Sequence, residues 1–258
     1  MQKLELQVQA AGTLDELQSN IRACLARKLP EFTPAPTTHD GTFVCVASGW
    51  SMPGYIDEIK AHRAAGRPIV AIKAAHDFLM DNGVTPDIWI CLDPRDRRGG
   101  IDKVNDHTVY MVASRCAPVM FDHLAGRKIL VWHSWSDSPE AKALPGGKLA
   151  IGGGTTSGIR AINIGYLLGF RKFVLYGYDS CNRADGVKRF TGEMTGQTMD
   201  VFVGGPTGRK FTCNAAMAQQ ANEFQMVYAV MNDITVDAKG PGLIAAILEE
   251  RRKLNLAA

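Results

Sequence analysis

From Gly41 onward, short apolar runs rich in β-branched residues alternate with longer stretches of helical periodicity. The apolar runs are Phe43–Ala47, Ile69–Ile72, Ile88–Leu92, Val109–Ala113, Ile129–Trp132, Phe173–Tyr176 and Ile234–Val236. Helical stretches fall between most of them, at 54–65, 75–81, 117–125, 156–168 and 214–231. Runs that are apolar at consecutive positions predict strands buried on both faces, because crossover helices cover a parallel sheet above and below. Right-handed βαβ units follow, and with them an α/β fold with an open, doubly wound, mostly parallel Rossmann-like sheet. A closed eight-stranded barrel fits poorly with seven strand runs and long polar loops.

Two regions break this rhythm. Residues 13–29 read as a helix: Thr13 and Glu16 have capping-box spacing, and Leu14, Leu17, Ile21, Cys24 and Leu25 form one apolar stripe. Pro30, Pro34 and Pro36 then stop the pattern. Residues 1–40 are therefore expected to be an N-terminal helical appendage with a Pro-rich linker, and 41–258 the Rossmann-like domain. The stretch 182–212 holds Gly186, Gly192, Gly196, Gly204, Gly205, Pro206 and Gly208 with little apolar periodicity, and is expected to be a long loop acting as a lid.

Composition narrows the function. The chain has 258 residues, 46% hydrophobic and 21% charged, with a net charge of only +3 from 29 basic and 26 acidic residues. That balance gives no clear nucleic-acid signal. The N-terminus lacks the basic start and apolar run of a secretory leader, and no apolar stretch approaches the ~20 residues that cross a bilayer. A cytoplasmic protein without a membrane partner is expected. The six cysteines form no CxxC pair and read as reduced core thiols.

Open α/β sheets bind ligands outside the carboxyl ends of their strands, so chemistry is sought there. The first run empties into Ser48, Gly49, Trp50 and Ser51 ahead of a helix, whose free N–H groups suit a phosphate; an ordinary turn reads the same way. The third ends at Asp93 and Arg95, with Arg97 and Arg98 expected to be surface residues. A carboxylate flanked by guanidinium groups suits a metal-bridged phosphate, with Asp93 as the Mg²⁺ ligand, although a solvated charged loop is the alternative. The fifth ends at His133 and Trp135, a candidate base and a candidate stacking surface, or else an interface histidine and a core-edge tryptophan. Gly152, Gly153 and Gly154 precede Thr155, Thr156 and Ser157 at a helix start, an anion cradle without the spacing of a Walker loop. The run ending at Tyr176 leads to Asp179 and Ser180, a second carboxylate at a strand end, able to hold a sugar hydroxyl, share a metal or cap a turn.

In order, the segments ASGWSM, PDIWICLDPR, ASRCAP, IGGGTTSGIRAI, LYGYDSC and KGPGL resemble the MptE-like 6-hydroxymethylpterin diphosphokinase domain family, over roughly residues 41–245. That family has phage and prophage members, and is similar in appearance to motility accessory factors and bacterial CMP-sialic-acid-dependent sialyltransferases. Its phosphate-contacting first loop, GxGPSL, falls on Ala47–Met52, where the first glycine and the proline are replaced. Its acidic strand end falls on Asp93, its GGGSTVGLRA segment on Gly152–Ala161, and its GFDSC on Gly177–Cys181. The late histidine of the family has no counterpart in Asp237–Leu243.

The resemblance implies a nucleotide-dependent transferase, with Asp93 and Asp179 as the catalytic carboxylates. Mg²⁺ with ATP is the expected cofactor, and the partners are a nucleotide and a small-molecule acceptor, a pterin- or nucleoside-like alcohol. The alternatives are a glycosyltransferase using a CMP-activated sugar, with His133 as base, and a non-catalytic nucleotide-binding phage protein. A homo-oligomer is compatible with any of these.

Overall fold

The computed structural model describes residues 11–135 and 139–256. Eight strands form one parallel sheet: β1 (Thr42–Val46), β2 (Ile69–Ile72), β3 (Ile88–Cys91), β4 (Val109–Ala113), β5 (Lys128–Ser134), β6 (Ala150–Ile151), β7 (Lys172–Tyr176) and β10 (Thr235–Ala238). The spatial order is β10-β7-β1-β2-β3-β4-β5-β6, so the sheet is open and the strand order switches sides between β1 and β7. β1 to β4 are buried almost throughout, which requires cover on both faces.

Among the described residues seven α-helices flank the strands: α1 (Leu14–Ala26), α2 (Ile56–Ala64), α3 (Ala75–Asp81), α4 (Pro118–His123), α5 (Ser157–Leu167), α6 (Ala215–Val230) and α7 (Leu243–Leu256). α5 reaches the sheet closely because Gly165 has no side chain; a Cβ there would stand 2.7 Å from the rings of Phe43 and Phe173. The six cysteines are free and buried, and burial pushes the Cys45 thiol up to about 12.

The N-terminal segment is less separate than its sequence implies. The Thr13–Glu16 capping box forms, and Leu17, Ile21 and Cys24 are buried. Past the helix, Glu31 makes a parallel bridge to Val131, with Phe32 N–H donating to the Val131 carbonyl at 2.7 Å and Val131 N–H to that of Pro30 at 2.8 Å. The Pro-rich stretch thus begins by extending the sheet.

The region 182–212 also holds more order than expected. β8 (Met199–Val203) and most of β9 (Arg209–Cys213) lie in it as an antiparallel hairpin, whose alternating burial hides its strand character from a search for continuous apolar runs. Among the described residues no helix is long and apolar enough to cross a membrane.

Candidate functional site

The strand ends of β1 and β7 meet at the reversal in strand order. The Ser51 N–H donates to Asp179 Oδ2 at 2.9 Å and its hydroxyl to Oδ1 at 2.6 Å. Gly49 N–H donates to the Gly177 carbonyl at 3.0 Å, and a Cβ on Gly49 would run into Asp179 Oδ2 and that carbonyl. Glycine is the residue that lets the two loops touch. Burial pushes the Asp179 carboxyl above its ordinary value, against the pull of both Ser51 hydrogen bonds. Ser51 engages both oxygens of Asp179, and the pair fixes the first loop against the end of β7.

Asp93 follows β3, and its carboxylate is 4% exposed. Arg95 donates to it at 2.8 Å, Arg97 at 2.7 Å and Lys73 at 3.1 Å. Burial alone would raise this carboxyl; the Arg95 hydrogen bonds, the Lys73 charge and Arg97 outweigh it and hold the group well below the usual carboxylate range. The cations themselves reach solvent, with side-chain exposures of 58% for Arg95, 30% for Arg97 and 25% for Lys73. The cluster presents a net positive face with its carboxylate underneath. Arg97 is therefore part of the cluster and not a bystander, whereas Arg98 pairs with exposed Asp96 as a surface residue does.

The glycine–threonine loop completes the rim. Gly153 and Gly154 have φ of +78° and +87°, a region only glycine enters without strain. Thr156 caps α5, its Oγ1 accepting from Ile159 N–H at 3.3 Å. It also accepts from Gln220 Nε2 at 3.2 Å, and Ser180 donates to Gln220 Oε1 at 3.1 Å. Glu223 accepts from the Thr155 N–H at 2.8 Å and its hydroxyl at 3.1 Å. On the other side, Leu92 N–H donates to Ser157 Oγ at 3.0 Å. One chain of hydrogen bonds thus joins the loop after β7, the start of α5 and the end of β3, so Ser48–Ser51, Asp93, Gly152–Thr156 and Asp179–Ser180 share one rim.

The segment after Ser180 folds over this rim. Gly49 bridges to Arg189, Phe190 N–H donates to the Ser48 carbonyl at 3.3 Å, and the Phe190 ring packs 4.9 Å from that of Phe78. His133, by contrast, is 2% exposed and lies 3.4 Å from Glu31, and burial lowers its pKa. It is an interface histidine, not a solvent-facing base. Trp135 is 51% exposed beside Gly152.

Three participants escaped the sequence reading. Lys73 follows the apolar run of β2 directly, so its place at a strand end was a readable signal. Gln220 and Glu223 carry no local signal, because only the packing of α6 brings them to the loop. Lys73 and Ser180, with φ of 49° and 48°, are two of three non-glycine residues in the left-handed region among the described residues, and both stand at this rim.

The donor set was tested against Mg²⁺, which keeps several waters and takes one or two carboxylates together with substrate phosphates. Both Asp93 oxygens already accept from cations. The residues present do not fit a resident Mg²⁺.

Fold and rim together define a Rossmann-like open-sheet protein with a cation-rich edge at the carboxyl ends of its strands. The chain belongs to the MptE-like family, whose model, described as 6-hydroxymethylpterin diphosphokinase MptE-like, matches residues 13–185. No curated protein matches the sequence. Among solved structures, the MAf glycosyltransferase from Magnetospirillum magneticum AMB-1 is similar at a TM-score of 0.66 and 16% identity, covering 96% of this chain. The chain spans 43% of that protein. A mammalian sialyltransferase in complex with Gal-beta-1-3GalNAc-ortho-nitrophenol gives a TM-score of 0.39 at 11% identity, over 85% of this chain and 78% of its own.

Proposed function

We propose that this chain is a nucleotide-dependent transferase that moves a phosphate-containing group from ATP to a pterin- or nucleoside-like alcohol. The observation that supports it is the convergence of Lys73, Arg95 and Arg97 with the Ser51 loop and the Thr155–Thr156 loop on one rim. Phosphoryl transfer asks the protein mainly for positioning and charge neutralisation. The acceptor hydroxyl oxygen attacks the β-phosphorus of ATP, the bond from that phosphorus to the α-phosphate bridge breaks, AMP leaves with the bridging electron pair, and the hydroxyl proton is released to solvent. Lys73, Arg95 and Arg97 meet the charge of the phosphates, and the helix start at Ser157 adds N–H groups and a positive dipole end.

A second reading, transfer of a sugar from a CMP-linked donor, is favoured by one feature. The cations on Asp93 neutralise a phosphate without a metal. Thermal-shift titrations with pyrophosphate, ATP, CTP and a CMP-sugar, with and without Mg²⁺, test both. A rim ligand at a hundredfold excess over its dissociation constant adds about 2.7 kcal/mol of stability. A shift with ATP and turnover to AMP by mass spectrometry is the expected outcome; CMP release from the sugar donor selects the second reading. Loss of the shift is expected in Asp93→Ala and in a Lys73→Gln, Arg97→Gln double variant. An unchanged shift in both would remove the cluster from the ligand site.

A further inference from the structure

A cavity of about 370 Å³ lies between the β8–β9 hairpin, α6 and α7. All its lining residues fall between Val201 and Leu254, beyond the segment that the family model matches. The walls are apolar, built by Val203, Ala218, Leu243 and Ile247, while Asn222, Gln225 and Arg251 supply polar groups. Its volume lies within the ~300–1,000 Å³ of small-molecule sites, and apolar walls with a few polar groups are their usual make-up.

The charges differ in how far they are met. Glu250 also lines the cavity, but its carboxylate is paired with Lys253 at 3.6 Å. Arg251 stacks its guanidinium 5.1 Å from the Tyr228 ring, and its buried Nη1 has no hydrogen-bond partner. A buried donor without an acceptor is costly, and a guanidinium group prefers a carboxylate, sulfonate or phosphate. We propose that this cavity is a second binding site, distinct from the rim, for a small anionic molecule with an apolar body. The apolar body sits among the hairpin and the two helices, and the anionic group pairs with Arg251.

The three walls also hold the rim. The Thr212 carbonyl of β9 accepts from Asn182 N–H at 2.8 Å, Leu243 N–H at the start of α7 donates to the Asp179 carbonyl at 2.7 Å, and α6 carries Gln220 and Glu223. A ligand in the cavity binds only the folded arrangement of these elements, so it raises the melting temperature by mass action.

Two probes test the proposal on the full chain: anionic 8-anilinonaphthalene-1-sulfonate and uncharged N-phenyl-1-naphthylamine. The expected result is saturable one-to-one binding of the anionic probe, with a concentration-dependent rise in Tm and no displacement by pyrophosphate. The uncharged probe, and the anionic probe on Arg251→Met, should bind about tenfold more weakly, the effect of losing one charged hydrogen bond. Ala218→Trp fills the cavity and should abolish binding; should it fail to fold, Arg251→Met decides. Absence of saturable binding, unchanged affinity in Arg251→Met, or displacement by pyrophosphate would each overturn the proposal. None of these outcomes depends on transferase activity.

Discussion

Asp93 and Asp179 both end strands of one sheet, yet their surroundings give them opposite titration. Asp179 is raised by burial, so its contribution to stability is complete below its ordinary 3.8 and is lost as pH rises through its folded value. Asp93, held low by its cations, contributes fully above 3.8 and loses that contribution as pH falls through its folded value. Urea midpoints measured across the acid range should therefore show Asp179→Asn flattening the decline on the higher side, and Asp93→Asn flattening the decline on the acid side. Asp179→Asn keeps both Ser51 contacts if the hydroxyl turns to accept from the amide. Asp179→Ala leaves a buried N–H and hydroxyl without a partner, at about 1–3 kcal/mol for each group. Equal stability of the Ala and Asn variants at neutral pH would refute the clamp.

Among the elements, α6 ties the rim together. Its apolar spacing predicts the helix, and Asn214 caps it through the Met217 N–H at 2.9 Å. Which face meets the glycine–threonine loop is settled by the hairpin and α7 packed beside it, not by its own periodicity. Gln220→Leu should leave the urea midpoint nearly unchanged, because Gln220 is only partly buried, while weakening the pyrophosphate thermal shift severalfold. An intact shift would show that the Thr156–Gln220–Ser180 link is ornamental to binding. Phe190→Ala removes the contact with Phe78 and should raise the nucleotide dissociation rate in stopped-flow traces more than it lowers the association rate.

At the scale of the whole molecule, Cys24 of α1 and Phe32 beside the Glu31 bridge join the same core as the sheet. Burial of Leu17, Ile21 and Phe32 contributes roughly 1.5–3 kcal/mol for each side chain, too much for a loosely attached arm. Urea unfolding followed by circular dichroism and by tryptophan fluorescence should give coincident single transitions. Removing residues 1–29 should lower the midpoint clearly; separate transitions in the intact chain would instead make the segment an independent unit.

The sequence by itself determined the alternation of strands and helices, the open parallel sheet and the loops at which ligand chemistry had to be sought. Those properties follow from local periodicity and from glycine and proline, which act within a few residues of themselves. Only the tertiary structure decided that Ser51 occupies Asp179, that Lys73 and Arg97 cover Asp93, and that Gln220 and Glu223 hold the threonine loop. The hairpin at β8–β9 and its cavity were decided there as well, since half-buried strands and shared walls arise from packing between segments distant in the chain. A side chain's chemistry is written in its residue type, but the number of its partners and its access to water depend on what the fold brings beside it.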